Sequence, residues 1–346
     1  MRRFAWSLIL AVTAIAQLTI AASAQAPSPS AQAPELSRVR LAVGGKPAMF
    51  YLPLTVTERL GYFKQEGLDV EISDFPGGAR ALQALMGGSA DVVTGSYDHT
   101  IQMQAKGQAI VAVALLGRYP GFVLGVLNAK AANYTGPASL KGMKIGITAP
   151  GSSTHFMVLH MMARAGLKPT DASLVGVGAG PGAVAAAQRG EIDAILNADP
   201  VISALEARNL IKVVADTRTE KGTLDVYGGP MPAAVLYVPP AFAEKNPRTT
   251  QALVNALVRG LKWIQANSAE EIAKVMPEEY ALGDKALYVE AIKHSIAMYS
   301  PDGRLTAKGG ETAYDVLKAF DPAVGGATID IAKTFTNSFV EKVPAR

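Results

Sequence analysis

Apolar and polar positions along the chain follow periods typical of an α/β protein. Short runs rich in β-branched residues, such as Val39–Val43 and Val70–Ser73, predict strands, and Leu52–Leu60 between them has helical spacing. From Ala241 onward the spacing is helical throughout. The pattern therefore predicts alternating strands and helices followed by a helical tail. The predicted helices of the tail are Thr249–Ala266, Glu270–Val275, Lys285–Met298, Glu311–Ala319 and Ile329–Phe335.

One stretch of this pattern occurs twice, at Phe75–Tyr97 and at Gly178–Asp199. Each copy has a glycine-rich loop, an Ala-rich helix that ends at a glycine suited to the left-handed conformation, and an Asp before a short apolar strand. Three pairs match at a constant spacing of 102 residues: Gly78 with Gly180, Gly88 with Gly190, and Asp91 with Asp193. Because ligands of open α/β sheets lie at the carboxyl ends of strands, the repeat predicts two lobes with matching half-sites.

The first residues have the pattern of a secretory signal. Arg2 and Arg3 precede the apolar run Phe4–Ile20, and Ala22-Ser23-Ala24 supplies a small-residue cleavage site. We expect residues 1–24 to be removed by cleavage after Ala24, and the Ala-, Pro- and Ser-rich residues 25–37 to form a disordered tether. A membrane anchor is the alternative, but the run is short beside the ~20 residues that span a bilayer.

Composition narrows the functional class. The 346 residues include no cysteine, which excludes disulfides, thiolate zinc sites, a Cys nucleophile and a lipid-modified cysteine. The four histidines have no metal-site spacing, so neither a metal nor a cofactor is expected. The net charge of +4 without a basic run argues against nucleic-acid binding. Phosphate-loop and nucleophile-elbow motifs are absent from the sequence.

Several motifs, taken in order, resemble one known family. They are Gly61-Tyr62-Phe63, Glu66–Val70, the set Ala84-Leu85, Gly88 and Asp91, Leu140–Gly146, and Gly190–Ala194. Together they resemble the periplasmic solute-binding proteins of the nitrate, sulfonate and taurine class of ABC importers, a family that also includes binders of thiamine-pyrimidine precursors.

The resemblance implies a type II periplasmic binding fold, in which two α/β lobes are joined by a two-crossover hinge. The crossovers would fall near Asn128–Ala132 and Thr223–Met231. Lobe one would comprise residues 38–128 and 232–346, with the helical tail packed on it, and lobe two residues 129–231.

The function implied is that of a soluble periplasmic monomer, not an enzyme, that captures a small organic anion. A sulfonate, nitrate or a carboxylate would be delivered to a membrane permease and its ATPase. The alternatives are a neutral aromatic or pyrimidine solute, a ligand-sensing partner of a membrane receptor, and a two-lobe enzyme of the menaquinone-route type. The related thiamine-pyrimidine synthase depends on a cysteine-bearing motif that this chain lacks.

The strongest candidate contact is Gly151-Ser152-Ser153-Thr154, between a predicted strand and a helix N-terminus. Free backbone N–H groups, hydroxyls and the helix dipole suit an anion there. The alternative is an ordinary helix cap.

Other candidates lie in lobe one and at the end of the repeated strand. Gly45 and Lys46 follow the first strand, Tyr51 could cover a flat solute, and Ser96 and Tyr97 end a strand. Tyr51 could equally be a core residue. Asp199 ends the second copy, where it would either bind the solute or cap the following helix.

Overall fold

The structure is a computed structural model that describes residues 33–344. These residues form two five-stranded sheets with strand orders β2-β1-β3-β10-β4 and β7-β6-β8-β5-β9. In each sheet the fourth strand, β10 or β5, runs antiparallel to both of its neighbours. The strands are β1 (Arg38–Gly44), β2 (Asp69–Phe75), β3 (Val92–Ser96), β4 (Val111–Leu115), β5 (Phe122–Leu127), β6 (Lys144–Ile147), β7 (Ser173–Gly176), β8 (Ala194–Ala198), β9 (Ile211–Asp216) and β10 (Ala234–Val238).

Helices cover both sheets and form the C-terminal part of the chain. None of those within residues 33–344 is long and apolar enough to cross a bilayer. The helices are α1 (Leu52–Arg59), α2 (Tyr62–Gln65), α3 (Gly78–Met86), α4 (Asp98–Ala105), α5 (Asn128–Ala131), α6 (Ser153–Arg164), α7 (Pro181–Gln188), α8 (Val201–Ala207), α9 (Glu220–Tyr227), α10 (Pro240–Lys245), α11 (Pro247–Ala266), α12 (Ala269–Val275), α13 (Lys285–Ser295), α14 (Ala307–Lys318) and α15 (Pro322–Gly325).

The repeat has the same local structure in both sheets. The glycines that follow α3 and α7, Gly88 and Gly190, have φ values of +74° and +66°, as predicted for the left-handed position. The Asp that follows each glycine binds the neighbouring strand. Asp91 accepts a 2.8 Å hydrogen bond from the backbone N–H of Arg40, and Asp193 accepts one of 2.9 Å from that of Lys144. The matching residues therefore link equivalent pairs of strands, β1 with β3 and β6 with β8.

The first crossover differs from the sequence prediction. Phe122–Leu127 was expected in lobe one, but as β5 it pairs with β8 and β9 in the second sheet. In the first sheet β10 takes the equivalent place, so each sheet is completed by a strand from across a crossover. The chain therefore crosses at residues 116–121, not near Asn128–Ala132. The second crossing, residues 217–233, contains the predicted segment Thr223–Met231 and also the unpredicted helix α9.

We call residues 38–115 and 234–344 lobe one, and residues 122–216 lobe two. The tail was expected on lobe one alone. Its long helix α11 does pack there, on α1 and β4, but α13 packs on α8 and α14 contacts α6. The predicted last helix, Ile329–Phe335, is also wrong, because Thr334 and Thr336 exchange backbone hydrogen bonds with Ala112 along the edge of β4.

The predicted tether is bound at its C-terminal end. The carboxylate of Glu35 accepts hydrogen bonds from the backbone N–H groups of Arg248 and Thr249 in the first turn of α11, at 3.1 and 2.8 Å. The side chain of Thr249 also accepts a hydrogen bond from the N–H of Leu36. Glu35 thus caps α11 from a distant part of the chain. The remainder of the predicted tether and the predicted signal peptide lie outside the described residues.

This cap predicts a specific loss of stability in acid. Partial burial acts to raise the pKa of Glu35, but the backbone hydrogen bonds from Thr249 and Arg248 outweigh it and lower the pKa to about 2. Because the folded pKa lies below the unfolded value of 4.5, the stabilisation is complete above pH 4.5 and is lost as the pH falls toward 2. We expect Glu35→Gln to remove about 1 kcal/mol of pH-dependent stability in this window. If the unaltered protein and Glu35→Gln have the same free energy of unfolding in urea at both pH 3 and pH 6, Glu35 does not cap α11.

Candidate functional site

A small cavity lies between the two lobes, where the carboxyl ends of β1 and β3 face those of β6 and β8. Its volume is about 30 Å³, close to the space that one water molecule occupies. Larger grooves of about 760 and 660 Å³ lie elsewhere on the surface, but neither includes a residue from these strand ends. The cavity is lined by Gly44, Ala48, Phe50, Tyr51, Gly78, Ser96, His99, Phe122, Thr148, Ser152, Ser153, Thr154, Ala179, Asn197 and Ala198.

The cavity is small because the lobes are closed on each other. The backbone N–H of Met49 donates to the carbonyl of Asp199 across the gap, at 2.7 Å. The hydroxyl of Ser153 donates to Asp98, a carboxylate only 2% exposed, at 2.9 Å. Any organic solute larger than the cavity can therefore enter only if the lobes separate.

Two glycines permit this close approach. A Cβ atom at Gly45 would lie 2.6 Å from the Cβ of Ala179, and one at Gly77 would lie 2.8 Å from the Cβ of Ala149. Both distances are shorter than nonbonded carbon atoms tolerate. Gly45 therefore lies at the lobe interface but does not line the cavity.

The N-termini of α3 and α6 meet at this interface. Ser152, in the cap position of α6, does not cap its own helix, because its hydroxyl accepts a 3.0 Å hydrogen bond from the backbone N–H of Ala79 in α3. Within residues 33–344, the backbone N–H groups of Ser153 and Thr154 have no acceptor. Free N–H donors at the positive end of a twelve-residue helix are suited to an anionic group.

His99 is a buried side chain that was not among the ligand-binding residues predicted from the sequence. It follows the strand-end residues Ser96 and Tyr97, it is completely buried, and its ring lines the cavity. Burial lowers its pKa, although the charge of Asp98 and a hydrogen bond with Gly151 act in the opposite direction. Its Nε2 lies 3.3 Å from the carbonyl oxygen of Gly151, which can only accept, so Nε2 carries the proton. Nδ1 is then a buried acceptor without a partner among the described residues.

Aromatic rings form one wall of the cavity. Phe50 of lobe one and Phe122 of lobe two are stacked, with centroids 5.0 Å apart and an interplanar angle of 8°. Tyr51 meets Phe50 edge to face at 4.8 Å. Burial raises the pKa of the Tyr51 phenol far above its usual value, so this hydroxyl stays neutral.

The structure separates the predicted contacts into two groups. Tyr51, Ser96 and the hydroxyl residues Ser152, Ser153 and Thr154 line the cavity, and Gly151 lies beside it through its contact with His99.

The other predicted side chains are engaged elsewhere. Lys46 does not reach the cavity, because its ammonium pairs with Glu58 at 2.6 Å. Tyr97 is buried with its hydroxyl 2.6 Å from that of Thr334. Asp199 caps α8 through the N–H and hydroxyl of Ser203, and it pairs with Arg218. Among residues 33–344, no Lys or Arg side chain is part of the cavity lining.

Two equivalent α/β lobes, joined by two crossovers and closed over a cavity at their strand ends, define the type II periplasmic binding fold. The profile of the family described as NMT1/THI5 like matches residues 50–271, which is more than half of the chain. The chain belongs to this family. Both the predicted fold class and the family resemblance are therefore confirmed.

Several known proteins are similar to this chain. The structure of a protein from Bordetella bronchiseptica RB50 has a TM-score of 0.88 and 52% identity, covering 90% of this chain and 98% of that one. The alkanesulfonate-binding protein SsuA from Xanthomonas axonopodis pv. citri, solved with bound MOPS, shares the fold with a TM-score of 0.69 at 19% identity, covering 87% of this chain and 99% of that one. The riboflavin-binding protein RibY of Chloroflexus aurantiacus is 25% identical, with 96% of this chain and 95% of RibY covered.

Proposed function

We propose that this protein is the periplasmic solute-binding component of an ABC importer, which captures a small solute between its lobes and presents it to a membrane permease and its ATPase. The observation that carries the proposal is the cavity between matching strand ends, closed by hydrogen bonds from one lobe to the other. Each of these contacts would break on opening and re-form on closing. Such a protein needs affinity and closure, and no chemical step.

The solute that we propose is a small organic anion of the sulfonate, nitrate or carboxylate type. The free N–H groups of Ser153 and Thr154 at the start of α6 support an acidic group there. The alkanesulfonate-binding relative is consistent with this class. The acid would be held by backbone dipoles and hydroxyls, because the described part of the chain places no cationic side chain in the lining.

A neutral flat heterocycle is the second candidate, and specific observations favour it. The lining residues that the structure describes include no Lys or Arg. The carboxylate of Asp98 accepts a hydrogen bond from Ser153, and the neutral ring of His99 offers an acceptor. RibY, which covers nearly the whole chain, is named for a solute with a flat ring system.

A melting-temperature screen of the purified protein tests the proposal. The compounds are ethanesulfonate, benzoate, nitrate and a neutral pyrimidine. At 100 times its dissociation constant, a ligand that binds only the folded protein stabilises it by about 2.7 kcal/mol, which shifts the melting temperature by several degrees. We expect the anions to shift it, whereas shifts with the pyrimidine alone would favour the second candidate. Conversion of a bound compound into a product, detected by mass spectrometry, would contradict a binding role.

A further inference from the structure

The stacked pair Phe50 and Phe122 joins the two lobes inside the candidate site. Phe50 follows β1 in lobe one, Phe122 begins β5 in lobe two, and both rings line the cavity. Their planes are within 8° of parallel, although the rings come from different sheets. Both side chains are almost completely buried in this closed arrangement.

The backbone holds each ring in place. Phe50 lies in the short turn Met49–Tyr51, where the carbonyl of Met49 accepts a 2.9 Å hydrogen bond from the hydroxyl of Tyr299. The N–H of Phe122 donates to the hydroxyl of Thr217, which in turn donates to the carbonyl of Phe122. Each ring is therefore held by hydrogen bonds of its own backbone, Phe50 in lobe one and Phe122 in lobe two. Separation of the lobes would separate the rings.

The present spacing leaves no room for a solute between the rings. A benzene-sized ring needs a cavity on the order of 150 Å³, and this one has about 30 Å³. A ring stacked on both faces needs roughly 3.5 Å to each neighbour, or about 7 Å between the two phenyl planes. The centroids are now 5.0 Å apart. Because the separation of the ring planes cannot exceed this centroid distance, the rings must move apart by at least about 2 Å to form a flat slot.

We propose that the solute carries a flat aromatic ring, which lies between Phe50 and Phe122 while its polar group faces the N-terminus of α6. The proposal rests on the proposed function and specifies its solute class as aromatic, with aromatic carboxylates and sulfonates as the expected compounds. The slot and the free N–H groups of Ser153 and Thr154 border the same cavity, so one small molecule can reach both. A saturated ring is thicker than an aromatic one and fits such a slot less well.

Calorimetric titration of the full chain with matched compounds tests this inference. Benzoate and cyclohexanecarboxylate differ only in the flatness of the ring, and ethanesulfonate has no ring. We expect benzoate to bind at least about tenfold more tightly than the saturated acid. Phe50→Leu keeps an apolar side chain but removes the stacking face, and it should weaken benzoate binding by about two- to tenfold with little effect on ethanesulfonate. Phe122→Leu is the second variant, and the exposed Leu224→Ala is the control.

The outcomes separate this inference from the proposed function. If cyclohexanecarboxylate or ethanesulfonate binds as tightly as benzoate, and both leucine variants leave benzoate affinity unchanged, the aromatic slot is overturned and an importer component for aliphatic anions remains. If a neutral pyrimidine binds and both leucine variants weaken it, the slot is supported and the anionic group is overturned. Circular dichroism of each variant verifies folding, and the comparison of compounds on the unaltered protein does not depend on the variants.

Discussion

Replacement of Arg218 by alanine is expected to lower the free energy of unfolding by about 3–5 kcal/mol, because it leaves a buried carboxylate without its cation. The Arg218 side chain is 10% exposed and that of Asp199 is 1% exposed, and their charged groups are 3.1 Å apart. Asp216 binds the same guanidinium at 2.7 Å. Although burial acts to lower the pKa of Arg218, the hydrogen bonds and charges of Asp216 and Asp199 raise it, so the cation persists at every pH at which the protein is folded.

Urea unfolding of the variant measures this effect. Arg208→Ala is the matched control, because Arg208 is exposed one residue beyond α8 and should change the stability by less than about 0.5 kcal/mol. The pair Arg218→Met with Asp199→Asn should recover part of the loss, since no buried charge then lacks a partner. Equal stability of Arg218→Ala and Arg208→Ala would show that the buried ion pair contributes nothing.

Arg218 also connects stability to closure. It is the second residue of the second crossover, and its partner Asp199 provides the carbonyl that accepts the interlobe hydrogen bond from Met49. We therefore expect the substitution to disturb the segment on which the lobes pivot. From the sequence, Asp199 is expected either to bind the solute or to cap the following helix. Arg218 was not predicted as its partner, because nothing local to Arg218 in the sequence indicates a contact 19 residues away.

The repeat could be predicted from the sequence because its signals are local. A glycine at a helix end and an Asp at the start of a strand have the same conformational and hydrogen-bonding requirements wherever they occur, and the pairs Gly88/Gly190 and Asp91/Asp193 meet them. The assignment of β5 to a sheet could not be predicted in this way. Its residues are apolar on both faces, and its sheet is decided by pairing with β8 and β9, which lie about 70 to 90 residues further along the chain.

The candidate site likewise contains residues that local sequence predicted and residues that depend on distant contacts. The loop Gly151–Thr154 was predicted because a strand-to-helix turn rich in hydroxyls places them at the edge of a sheet, and Ser152, Ser153 and Thr154 do line the cavity. Tyr97 was misplaced because its side chain turns away from the cavity toward Thr334 of the distant C-terminal segment. Phe122 was not predicted as a site residue, because it begins β5 and the sequence does not show which sheet β5 joins. His99 lies close in sequence to the predicted strand-end residues Ser96 and Tyr97, but only the tertiary structure shows that one of its ring nitrogens has no partner among the described residues.

A disulfide introduced between the two lobes tests the claim that solute enters the cavity by separation of the lobes. The chain contains no cysteine, so an introduced pair has no competing thiols. A Cβ atom at Gly151 would lie 3.5 Å from the Cβ of Ala79 in the opposite lobe, within the range of about 3.5–4.5 Å found in disulfides. Gly151 has a φ of +83°, so a side chain there is strained, and the single variants Ala79→Cys and Gly151→Cys measure that strain separately.

The decisive measurement is solute binding by the Ala79→Cys, Gly151→Cys protein, freed of any bound solute, before and after oxidation. The solute is the compound that gives the largest shift in the melting-temperature screen. We expect the oxidised, cross-linked protein to take up none of it, and reduction to restore binding to the level of the single variants. Uptake by the cross-linked protein equal to that of the reduced protein would contradict an entry route that requires the lobes to part.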